Sequence, residues 1–196
     1  MQNMKSKESG FTLVEMLVAT ALFGLLVGLV FQLFISSFSV QRNTLSIQES
    51  ANQISFVAEY MGRALRQARK ESANPAACLT GAGRGWNYEV SAANDSITFL
   101  DRDNLCRKFS FDPVGQQIFE EVSTDNQAAH FTGAEPLTPG TMAVTGFRIE
   151  QRGADEQDSE QPRVTLVIEA EATEADAKVR VQTTISQRTF DVVQIP

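Results

Sequence analysis

The sequence predicts an α+β protein: one long N-terminal helix, transmembrane in its first half and an amphipathic stalk in its second, packed on an antiparallel β-sheet head. Three observations predict it. The run Gly10 to Ile35 is almost wholly apolar. Beyond it Ile47, Ala51, Ile54, Ala58, Met61, Leu65 and Ala68 recur at alternating steps of four and three, which places them on one helical face. From Trp86 onward, short alternating stretches separated by turn residues replace the helical period.

Residues 1–10 (MQNMKSKESG) form a short, polar, net basic leader, with Lys5 and Lys7 against Glu8. Basic residues beside a span favour the cytoplasmic side, so the N-terminus is expected inside and the head outside. Residues 11–35 form the transmembrane segment. No formal charge occurs from Met16 to Ile35, a stretch of twenty residues. At about 1.5 Å per residue that is enough to cross a hydrocarbon core of roughly 30 Å. Gly24 and Gly28 are spaced G-x-x-x-G, which lets helix backbones approach closely; the alternative is that they only soften the helix.

Residues 36–72 continue as the amphipathic stalk, ending near Ser72 because Asn74-Pro75 disfavours further helix. Arg63, Arg66, Arg69 and Lys70 suit the negative end of the helix dipole. One helix from Thr12 to Ser72 would be about 90 Å long. The apolar stripe is expected to pack on the following sheet.

Residues 73–196 form the β-rich head. Strands are expected over 86–90, 96–100, 105–111 and 117–122, then 143–151, 163–172 and 178–189. Phe99, Phe109, Phe111 and Phe119 are the expected core-facing aromatics of the first group. The run 123–141 has no clear pattern, 153–162 reads as an acidic solvated loop, and 173–177 as a short turn.

Glu15 poses the chemical question. A carboxylate at bilayer depth costs at least about 2.5 to 3.5 kcal/mol on insertion scales, and it is usually paired or functional. Cleavage after Gly10 would give Phe11 a new α-amino group, protonated below a pKa of about 8. On a neighbouring copy shifted by one helical step, that ammonium could face Glu15. The alternative is a carboxylate that snorkels to the membrane surface.

Gly10-Phe11-Thr12-Leu13-Val14-Glu15-Met16 resembles the cleavage and methylation motif of type IV pilin-like proteins, which include the pseudopilins of type II secretion. The resemblance implies a prepilin peptidase that cuts after Gly10 and methylates the amine of Phe11, with Glu15 as the assembly glutamate. It implies other pilin or pseudopilin subunits, an inner-membrane assembly platform and the lipid bilayer as partners. Many major pilins carry a proline midway along this segment. This chain has none there, so no proline kink is expected. The size of the head resembles a minor subunit, such as the minor pseudopilin J type.

Cys78 and Cys106 are the only cysteines, and both would lie on the non-cytoplasmic side, where disulfides persist. A bridge would be worth about 3 to 4 kcal/mol on the chain-entropy model; the alternative is two buried thiols. Asp101, Asp103 and Asn104 offer hard oxygen ligands, but turn chemistry explains them without calcium. His130, the single histidine, has no second metal ligand at suitable spacing. No nucleophile, base and acid stand in a catalytic arrangement, so neither enzyme activity nor a cofactor is expected. A net charge of −7 argues against nucleic acid as a general partner. The chain reads as a processed filament subunit of the bacterial inner membrane; the alternative is a single-pass anchored binding module that never assembles.

Overall fold

The computed structural model describes residues 10–73, 75–82, 84–153, 160–172 and 178–187. Residues 1–9 of the expected leader, 154–159 of the expected acidic loop, the expected turn 173–177 and the expected strand residues 188–189 lie outside the described residues.

Helix α1 (Leu13–Arg66) is one element of 54 residues. It contains no proline, and Thr12 starts it by capping: Glu15 N–H donates to Thr12 Oγ1 at 3.3 Å, and Met16 N–H to the Thr12 carbonyl at 3.2 Å. The boundary between the two compact units of the chain falls inside α1, between Thr44 and Leu45.

In the first unit nearly every described side chain is exposed, Val27 being half-buried. Phe34 and Phe38, one turn apart, meet edge to face at 4.9 Å.

The second unit contains two antiparallel sheets. The first has the order β1-β2-β3-β4-β5, from β1 (Glu89–Val90), β2 (Ser96–Leu100), β3 (Cys106–Asp112), β4 (Gln117–Val122) and β5 (Glu135–Pro136). The second is β6 (Met142–Arg152), β7 (Arg163–Ala172) and β8 (Lys178–Ser186). The turns between strands hold three residues at positive φ: Asn94 at 59° and Asn104 at 64°, a residue type that tolerates it, and Gln116 at 54°, which does not favour it. Asn94 and Gln116 then offer their carbonyls to the free edge of β6, accepting from Ile149 and Val144 N–H at 2.9 Å each. Two hairpin turns thereby stitch one sheet to the other.

The core is the Ile54-to-Ala68 part of the expected helical stripe laid on both sheets, while Ile47 and Ala51 stay half-buried outside it. Ile54, Met61 and Leu65 are fully buried beside Ile97, Phe99 and Phe109 of the first sheet and Ile149, Val164 and Leu166 of the second. The Tyr88 hydroxyl donates to the Leu65 carbonyl at 2.8 Å, tying the segment just before β1 to the helix end.

Several expectations need correction. The helix stops at Arg66, short of Ser72, because tertiary pairing wins: Arg69 N–H bonds the Leu100 carbonyl at 2.8 Å, drawing the chain into a bridge beside β2. β1 covers only the last two residues of the expected 86–90 strand. The run 123–141 holds a 3₁₀ turn (Ala128–His130) and β5. Phe119 faces away from the helix and is half-buried, because β4 turns Ile118 and Glu120 inward instead. An inward carboxylate hides the apolar alternation of that strand.

Candidate functional site

At the N-terminal end of α1, Gly10 and Phe11 precede the first helical turn, and both are exposed, Phe11 by 80%. Thr12 is the cap and Glu15 sits in the first turn, where an acid is favoured by the helix dipole. The Glu15 side chain is exposed. Thr12-x-x-Glu15 is a capping-box spacing, a sequence signal that marks the helix start and fixes the distance from Phe11 to Glu15. Gly24 and Gly28 are four residues apart, and a Cβ built on either meets nothing within 4 Å, so both stand open to a neighbour.

Along the apolar part of α1 the mean hydropathy reaches 2.4 over 18 residues, none of them buried. Phe11, Leu13, Phe23, Leu33 and Ile35 each expose more than two thirds of their surface. A water-facing surface this greasy is a liability, whereas a lipid-facing one is favourable. The helix is long and apolar enough to cross a membrane.

Residues 5–31 match the prokaryotic N-terminal methylation motif family. The match covers Lys5 and Lys7 of the leader, Gly10, Phe11, Glu15 and both glycines, and it supports a type IV pilin-like precursor with one N-terminal membrane anchor. The match ends inside the apolar run and leaves the head uncovered. No curated protein and no solved structure matches the chain.

In the head, Cys78 and Cys106 are joined in a disulfide with Cα atoms 5.5 Å apart, both cysteines buried. The bridge ties the loop after α1 to β3 through a small apolar cluster with Leu79 and Leu100. Next to it lies a residue that sequence reading missed. Glu71 is 1% exposed, and its carboxylate accepts from the N–H groups of Ala73 (2.9 Å), Ala77 (3.3 Å), Cys78 (2.9 Å) and Leu79 (3.4 Å). Burial alone would push its carboxyl up; the four N–H groups outweigh that and hold it below the ordinary value of 4.5.

A depressed carboxyl stabilises the fold above its unfolded pKa and loses that contribution as pH falls through the lower folded value. Trp86, the sole tryptophan, accepts from Glu71 N–H at 2.9 Å and packs against the same cluster, so it reports on this loop. Its fluorescence is expected to hold steady from pH 7 to 4.5 and to shift red only below. A transition above 4.5 would contradict the Glu71 assignment.

The oxygen-rich turn Asp101-Arg102-Asp103-Asn104 is consumed by the fold. Asp101 Oδ1 accepts from the N–H groups of Asp103 and Leu105 at 2.9 Å each, and Oδ2 from Arg107 at 3.0 Å. Arg107 also donates to Glu120 at 2.5 Å and lies 3.3 Å from the Tyr60 hydroxyl, which itself donates to Glu120 at 2.8 Å. Burial would lower the Arg107 pKa, but Asp101 and Glu120 reverse that and hold the guanidinium charged. Burial first, then Glu120, raises Tyr60. His130 Nδ1 lies 2.7 Å from Asp125 Oδ2 in an exposed pair, and that contact holds the Asp125 carboxyl below its usual range. Among the described residues, no group of three or more His, Cys, Asp or Glu is placed to hold a metal ion.

Proposed function

We propose that this chain is a type IV pilin-like subunit, a structural protein and not an enzyme, cut after Gly10 by a prepilin peptidase, methylated on the amine of Phe11 and assembled through α1. The observation that carries the reading is the methylation motif seated on a helix whose apolar half is bare. On this reading residues 1–10 stay in the cytoplasm, 11–35 cross the inner membrane, 36–72 form the stalk and 73–196 the external head. Glu15 meets the cleaved amine of a neighbouring subunit, and Gly24 and Gly28 let the helices close on one another. A head outside the motif, held by its own disulfide, suits a minor subunit of a pilus or a type II secretion pseudopilus.

Intact mass spectrometry of chain purified from membranes that contain the peptidase tests it. The expected product begins at N-methylated Phe11. A chain still starting at Met1 would replace this reading with a tethered β-rich module.

A further inference from the structure

The two halves of the disulfide are held in different ways. Cys106 lies in β3, its register set by pairing with Leu100 and its N–H donating to the Asp125 carbonyl (2.9 Å) and Ser123 Oγ (2.7 Å). Cys78 lies in a loop with neither helix nor strand. What fixes that loop is a carboxylate: three consecutive amides, Ala77, Cys78 and Leu79, converge on Glu71 Oε2, and Ala73 on Oε1. Glu71 is itself anchored through its backbone, with its N–H on the Trp86 carbonyl (2.9 Å) and its carbonyl on Gly85 N–H (2.8 Å). A second carboxylate, Glu89, takes the amides of Gly81 and Ala82 at 2.9 and 3.2 Å, further along the loop and away from the cysteine.

We propose that Glu71 is the positioning residue for the Cys78–Cys106 bond: its carboxylate arranges the loop so that the Cys78 sulfur is presented to Cys106 before the two are joined. The bond forms by thiol–disulfide exchange with an oxidant of the disulfide class. One cysteine thiolate attacks the oxidant, forming a mixed disulfide and expelling one oxidant thiolate. The other cysteine thiolate then attacks the protein sulfur of that mixed disulfide, closing Cys78–Cys106 and expelling the second. Two electrons pass from the protein dithiol to the oxidant, and the two cysteine protons end on the expelled thiols. Only the second step depends on how close the cysteines are held, so that is the step Glu71 governs. This inference rests on the head alone and is independent of the fate of the N-terminus.

The test uses the full chain in detergent micelles, equilibrated anaerobically with mixtures of reduced and oxidised glutathione, then trapped with a maleimide and weighed. The ratio of oxidised to reduced protein gives the effective concentration of the cysteine pair. Glu71→Gln keeps the shape but puts an amide donor against amide donors and removes the charge, so the effective concentration is expected to fall at least about tenfold in the folded protein. Glu89→Gln is expected to stay within about twofold of the natural chain, and all three proteins are expected to coincide in denaturing urea. An unchanged value for Glu71→Gln with native Trp86 fluorescence would overturn the proposal, as would equal losses in Glu71→Gln and Glu89→Gln. Should Glu71→Gln fail to fold, Glu71→Asp carries the same test, because its shorter side chain keeps the charge while withdrawing the oxygens from Cys78.

Discussion

Glu15→Ala chains should insert into the membrane in natural amounts and yet be at least about tenfold depleted from sheared filaments when expressed with their companion genes. Insertion is driven by the uncharged run that follows Glu15, so deleting an acid that costs about 2.5 to 3.5 kcal/mol at bilayer depth cannot impair it. Assembly is different. The Glu15 carboxylate projects from the first helical turn, close in sequence to where cleavage would create the Phe11 amine. Two opposite charges at a few ångströms in a medium of low dielectric attract far more strongly than in water. Glu15→Gln, which keeps the size and loses the charge, should behave like Glu15→Ala. Normal incorporation of either variant would remove Glu15 from the assembly mechanism.

Arg107→Leu is expected to destabilise the head by about 3 kcal/mol in urea unfolding, the scale for breaking a buried ion pair from one side. Arg107 joins Asp101 and Glu120, whose side chains are 7% and 11% exposed. Without it, two carboxylates remain in a half-closed space on the helix-facing side of the sheet, with Tyr60 and the turn amides as their remaining partners. Arg107→Lys keeps the charge but lacks the planar fork that reaches both acids at once, so it should recover only part of the loss. A change below about 1 kcal/mol for Arg107→Leu would mean that the network contributes no more than a surface pair.

The same network explains what could and could not be read in advance. The positions of β2 and β3 were legible because turn residues bracket each strand, and their inward face because Phe99 and Phe109 alternate with polar neighbours; the register between them comes from the structure. The stripe from Ile54 to Leu65 was legible because a helical period survives where composition turns polar. Phe119 misled, since an aromatic in a strand reads as core until Glu120 is seen to be the inward residue, held by an arginine on the neighbouring strand. Glu71 carried no signal, because an acid between lysine and serine looks like surface; only the folded loop shows four amides seeking one acceptor. The early end of α1 was set by Leu100, far along the chain, which local propensity cannot see. At the N-terminus the Thr12 to Glu15 spacing was present in the sequence and marks the helix start without tertiary help.

The outer strands of the first sheet have a mechanical consequence. β1 and β5 are two residues each, β5 closes with Pro136, which has no amide hydrogen, and the free side of β6 is plugged by the Asn94 and Gln116 carbonyls. Along those three borders a second copy finds almost no ladder to lengthen, so heads cannot be zipped together there by shared backbone bonds. If subunits assemble through α1 as proposed, these three borders add nothing to the polymer's cohesion, and the greasy rods must hold it.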